Sequence, residues 1–193
     1  MANANDIKLR PFRDYDEKDV INLFSLEDTG HTLPIVKGTL VKLDGGAGWK
    51  ADQELEMLGS VGASFSNVTS QRYGVAANVG VTDVGDDALG IILHDVRETD
   101  ENGEQLKFNP RKAAEMEAVI SGQAVPVVTK GIFLYSGSGL AADTPVAGSV
   151  LFAHDNGQIQ TGDNDSAKKV GVALGNKDRN NHVLIKLDCH LGL

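Results

Sequence analysis

Short apolar runs along this chain are separated by glycines, aspartates and asparagines at close intervals, the rhythm of strands and tight turns rather than of long helices. Val20-Ile21-Asn22-Leu23-Phe24-Ser25-Leu26 alternates in part and is bounded by Glu27-Asp28-Thr29-Gly30, so it reads as a strand. Further strands are expected over 33–43, 55–59, 61–66, 72–82 and 88–96, and again over 125–135, 147–154, 158–161, 168–174 and 182–189. Asp44-Gly45-Gly46 and Asp83-Val84-Gly85-Asp86 supply turns, and Asn102-Gly103 and Asn156-Gly157 are hairpin-type centres. One segment departs from this rhythm. Asn109 is a good N-cap, Pro110 suits a first helical position, and Ala113, Met116 and Ile120 fall on one stripe before Gly122. The spacing predicts a helix over 110–121.

A phrase recurs. Leu33-Pro34-Ile35-Val36-Lys37-Gly38-Thr39-Leu40-Val41 returns with one inserted residue as Val125-Pro126-Val127-Val128-Thr129-Lys130-Gly131-Ile132-Phe133-Leu134. Each copy precedes an apolar strand built round a glycine, Ala88-Leu89-Gly90-Ile91-Ile92-Leu93 and Lys169-Val170-Gly171-Val172-Ala173-Leu174. The expected organisation is an N-terminal arm (1–32), a first β unit (33–96), a charged linker and helix (97–122), and a second β unit (123–193). The fold class is mainly β: small β-barrel or sandwich units with one connecting α-helix. The shorter interval from Gly131 to Gly171, against Gly38 to Gly90, leaves a true duplication open.

Charge adds asymmetry. The chain of 193 residues carries a net charge of −9, and residues 1–122 hold the whole acidic excess, 21 acidic against 12 basic side chains. An acidic surface repels phosphate backbones, so nucleic acid is not an expected partner. The opening segment is a local exception, with Lys8, Arg10 and Arg13 against Asp6. A solvated terminus and a basic docking arm both suit it. No apolar run approaches a membrane span. A single cysteine, Cys189, and an N-terminus without a signal-peptide pattern lead us to expect synthesis in a cytoplasm.

Several strings are suggestive of chemistry. Gly137-Ser138-Gly139-Leu140-Ala141-Ala142 matches a dinucleotide fingerprint in letters, but Pro145 and Gly148 interrupt the helix that such a site requires. Asp163-Asn164-Asp165 lacks the downstream ligands of a calcium loop, and Asp83, Asp86 and Asp87 read as an acidic turn. His31, His94, His154, His182 and His190 form no metal-binding pair, and Cys189 beside His190 reads as a structural cysteine. No catalytic residue, cofactor or metal is expected, and the protein is read as a non-enzyme.

The chain also resembles a known family. Asp19-Val20-Ile21-Asn22-Leu23-Phe24, Pro34-Ile35-Val36-Lys37-Gly38, Lys168-Lys169-Val170-Gly171-Val172-Ala173-Leu174 and Val183-Leu184-Ile185-Lys186-Leu187-Asp188 resemble the capsid decoration (cement) proteins of tailed bacteriophages, most clearly over 123–193. The resemblance implies a virion structural protein on the outer capsid surface. Its partners would be the major capsid protein and, in a homotrimer, itself. Lys8, Arg10, Arg13, Val20, Ile21, Leu23 and Phe24 are the expected contact residues on the arm, and deleting 1–25 is expected to abolish binding and spare the fold. The alternatives are a tail-tube, tail-fibre or head-fibre component, or a carbohydrate-binding domain in which Trp49, Tyr73 or Tyr135 stacks on a sugar.

Overall fold

The computed structural model describes residues 8–11, 19–26, 33–44, 48, 77–136, 139–140, 144–162 and 168–189. The expected strands at 55–59 and 61–66 lie outside these. In chain order the strands are β1 (Lys8–Pro11), β2 (Val20–Ile21), β3 (Ser25–Leu26), β4 (Leu40–Leu43), β5 (Asn78–Val81), β6 (Ala88–Ile92) and β7 (Asp95–Val96). After α1 (Pro110–Glu115) come β8 (Ala118–Val119), β9 (Val127–Val128), β10 (Lys130–Ser136), β11 (Val150–His154), β12 (Gln158–Thr161), β13 (Lys169–Ala173) and β14 (His182–Asp188). The mainly β expectation holds, with two curled half-barrel sheets and one short helix.

One sheet has the order β2-β9-β6-β4-β5-β3 and the other β1-β10-β14-β13-β11-β12. Set β1 and β3 aside, and each sheet is the same five-strand unit. Numbered along the chain, its strands lie side by side as first, fifth, fourth, second and third. The agreement extends to register. Leu40, Val41 and Lys42 face Ile91, Gly90 and Ala88, with a bulge after Val41. Val150, Leu151 and Phe152 face Val172, Gly171 and Lys169, with a bulge after Leu151. A bulge places two residues opposite one, here Leu89 and Gly90 or Val170 and Gly171, and bends the strand so the sheet can curl. The two glycine strands noted in the sequence are therefore equivalent. The recurring phrase is not: its first copy leads into the second strand of one unit, and its second copy joins the last strand of that unit to the first strand of the next.

That junction is Thr129, between β9 and β10. Its N–H donates to the Asp19 carbonyl at 2.8 Å in the first unit, and its carbonyl accepts from the Cys189 N–H at 3.0 Å in the second. The units thus run 20–128 and 130–188, and the single strand expected over 125–135 is instead two, β9 and β10, in different sheets.

Each unit wraps a core. Leu151, Ile159, Val170, Ala173 and Ile185 line the concave side of the second unit, and the equivalent Val41, Val79, Leu89, Ile92 and Val127 line that of the first. The first sheet is apolar on its other side as well. Leu40, Ala88, Ile91 and Val128 from this convex side complete the core of the second unit. This is why β6 is buried along its whole length, and why its sequence shows no alternation.

Residues 20–26 are not the single strand expected. They break at 22–24, and β2 and β3 occupy opposite edges of one sheet. Ser25 also bridges to Ala124, just ahead of β9, and the Val125 N–H donates to the Phe24 carbonyl at 2.9 Å. This short segment crosses the mouth of the curled sheet and closes it. The expectation that deletion of 1–25 spares the fold is corrected accordingly, because the cut removes β1, β2, Ser25 of β3 and the buried ring of Phe24.

α1 starts where expected. The Asn109 side chain accepts from the Lys112 N–H at 3.2 Å, and Pro110 fills the first turn. It ends six residues short of 121, because Glu117 takes a positive φ of 50° and Ala118–Val119 pairs in parallel with β7. Pairing and burial of Ala118 and Ile120 outweigh the helical stripe read from the sequence. The lobe 95–120 is an insertion between the fourth and fifth strands of the first unit. In the second unit the same connection is the short loop 174–181.

Candidate functional site

The arm supplies edge strands to both sheets: β1 borders β10 in the second, and in the first β2 borders β9 and β3 borders β5. Lys8 pairs in register with Ser136, and Arg10 with Leu134. Arg13 lies outside the described residues. Val20 and Ile21 are half-buried and pack against the cores of the second and first unit respectively. Phe24 is buried, whereas Leu23 is 51% exposed. Of the expected contact residues with described side chains, Leu23 is therefore the most open to a partner, while Phe24 serves the core. An edge strand leaves a row of backbone donors and acceptors facing outward, the template for adding a further strand.

The unit equivalence exposes a second surface that the sequence reading missed. Across the convex side of the first sheet runs the row Val20, Val128, Ile91, Leu40, and the last three are fully buried beneath the second unit. The same row in the second sheet is Ile132, Lys186, Val172, Val150. There Lys186 is exposed and its three neighbours are only half-buried. Leu134, Phe152 and Leu184, also half-buried, widen the apolar surface, and the exposed Leu174 hydrogen-bonds through its N–H to the Leu184 carbonyl. Lys130, Lys169 and Lys186 stand exposed among them, with the half-buried Asp188 opposite Lys130. The signal available in the sequence was the clean alternation of β14 against the unbroken apolar run of β6.

The groups weighed for chemistry are engaged otherwise. The Asp86 carboxylate accepts from the Asp83 N–H at 2.8 Å and pairs with Lys42 at 2.6 Å, so it stabilises its own turn. Tyr135 is wholly buried and donates to the Gly38 carbonyl at 2.6 Å, which removes it from any sugar-stacking role. Burial pushes its phenol further above the ordinary range. Trp49, Tyr73, His31, His190 and the Asp163-Asn164-Asp165 string lie outside the described residues. Burial, assisted by Asp188, pushes the Cys189 thiol up to about 12, so it is held protonated and unreactive. Among the described residues no three histidine, cysteine or acidic side chains are arranged to hold a metal.

In the inserted lobe, Asp100 is a buried carboxylate with a full set of donors. It accepts from the Asn102 and Glu104 N–H groups, both at 2.8 Å, and pairs with Lys112. The Lys112 ammonium is the main cause of its pKa lying below the usual carboxylate range, with the two backbone donors adding to the effect. This is a structural lock: it ties the Asn102-Gly103 turn to α1.

Neither the models of known protein families nor the curated protein sequences contain a match to this chain.

Proposed function

We propose that this is a non-catalytic structural protein that binds the outer surface of a tailed-phage capsid and stabilises it through protein–protein contacts. The observation that carries the reading is that the arm strands β1 and β2 are edge strands, one on each half-barrel. An edge on each sheet gives two places where a neighbouring chain can add backbone hydrogen bonds, and basic residues at 8, 10 and 13 favour an acidic partner. The resemblance of the strands at 168–174 and 183–188 to decoration proteins supplies the capsid as that partner. The exposed Leu23 provides an apolar contact beside the β2 edge.

The experiment is co-sedimentation of the full chain with purified capsids lacking it. A triple variant, Lys8→Glu, Arg10→Glu and Arg13→Glu, and a separate Leu23→Asp variant should each sediment less, with unchanged circular dichroism. Undiminished co-sedimentation of both variants would sink the arm assignment, and failure of the wild type to co-sediment would sink the capsid reading.

A further inference from the structure

The convex face of the second sheet has a counterpart within the same chain. In the first unit the equivalent row is apolar and covered by protein. On the same face of the second unit, two positions filled by Ala88 and Val128 in the first are the exposed lysines Lys169 and Lys186. An apolar sheet face dotted with lysines resists indiscriminate burial and favours a cover with acidic groups round an apolar anchor.

The inserted lobe combines such an anchor with a net acidic charge. Phe108, immediately before the Asn109 cap of α1, is 80% exposed, the most exposed large apolar side chain among the described residues. The Lys107 ammonium lies 5.2 Å from its ring centroid. Over the lobe as a whole acid is in excess: residues 95–117 hold seven acidic and four basic side chains. Glu104 pairs with Lys112 and Glu115 with Arg111, and the excess is carried by the remaining groups, among them the exposed Glu101. Among the strands of the second unit's convex face, by contrast, the three lysines outnumber Asp188. Exposed aromatics that become buried at the centre of a contact are the usual anchors of protein association.

We propose that the protein self-associates head to tail, with the Phe108 lobe of one copy seated on the convex face of the second sheet of the next. The two surfaces differ, so the contact is heterologous, and each copy keeps one surface free until a ring closes or a chain grows. The contact is read on the purified chain alone and stands apart from the capsid reading.

The test is light scattering of the full chain across a concentration series. Wild type should show a mass rising above the monomer. Phe108→Ser, and separately the double variant Lys169→Glu with Lys186→Glu, should each weaken association by about tenfold or more, with circular dichroism and melting unchanged because these side chains are exposed. Mixing the two variants should restore a pair, since each retains the surface the other has lost, and that pair should grow no further. A wild type that stays monomeric, association indifferent to either variant, or a mixture that fails to pair would each overturn the proposal.

Discussion

Gly90 faces the Val128 carbonyl as Gly171 faces the Lys186 carbonyl: a Cβ added at either glycine would fall well inside contact distance of that oxygen. Both glycines sit beside a bulge at the same register position of the same five-strand unit. The obstacle is backbone on a paired neighbouring strand, so it cannot swing aside as a flexible side chain would. Gly90→Ala and Gly171→Ala should each destabilise the protein by at least the 1–3 kcal/mol or so typical of overpacking, measured by chemical denaturation. Gly90→Ala should cost more, because its strand is buried on both faces and its Cβ also meets Val127. Equal, negligible effects would contradict the close approach.

The Tyr135 hydroxyl and the Gly38 carbonyl join the two units through a buried hydrogen bond. Tyr135→Phe keeps the ring and removes the donor, leaving that carbonyl with an unmet desolvation cost. Stability should fall by about 1–3 kcal/mol. A variant as stable as the wild type would show that the carbonyl finds another donor.

Asp100 should make stability depend on acid. Its folded pKa is lowered by Lys112 and two backbone donors, so its contribution is present above the unfolded carboxylate value of about 3.9. The contribution fades as pH falls through the folded value. Lys112 carries the opposite sign. Its pKa is raised, chiefly by Asp100, so its share persists to high pH and is lost as pH rises through the folded value. Asp100→Asn should lower the melting temperature at neutral pH, and the gap from wild type should narrow as pH falls below about 4. Melting curves over that range decide it. A gap that does not change with pH would assign the loss to packing rather than charge.

Local chemistry was legible wherever residues within a few positions of one another decide the outcome. Asn156-Gly157 forms its hairpin between β11 and β12, with both residues at positive φ. Asn109 and Pro110 start the helix, and β14 alternates as its letters do. The two glycine strands also stand out in the letters alone. The candidate surfaces were only partly visible. The arm could be singled out by its charge and its Val20–Leu26 run, but that Phe24 turns inward while Leu23 stays exposed depends on the closure of the sheet.

What the sequence determined by itself is therefore the class of the protein: short apolar strands, turn residues at fixed places, and an acidic first portion beside a neutral second one. Tertiary structure decided the rest. It split 20–26 between two edges, ended α1 at Glu115 and divided 125–135 between two sheets at Thr129. It also identified the real repeat, which is one of strand order and bulge register rather than of phrase. The physical reason is that strand pairing and face burial are long-range. Val128 and Lys186 occupy equivalent positions on the convex faces of their sheets, and the packing of one unit against the other covers the first and leaves the second in solvent.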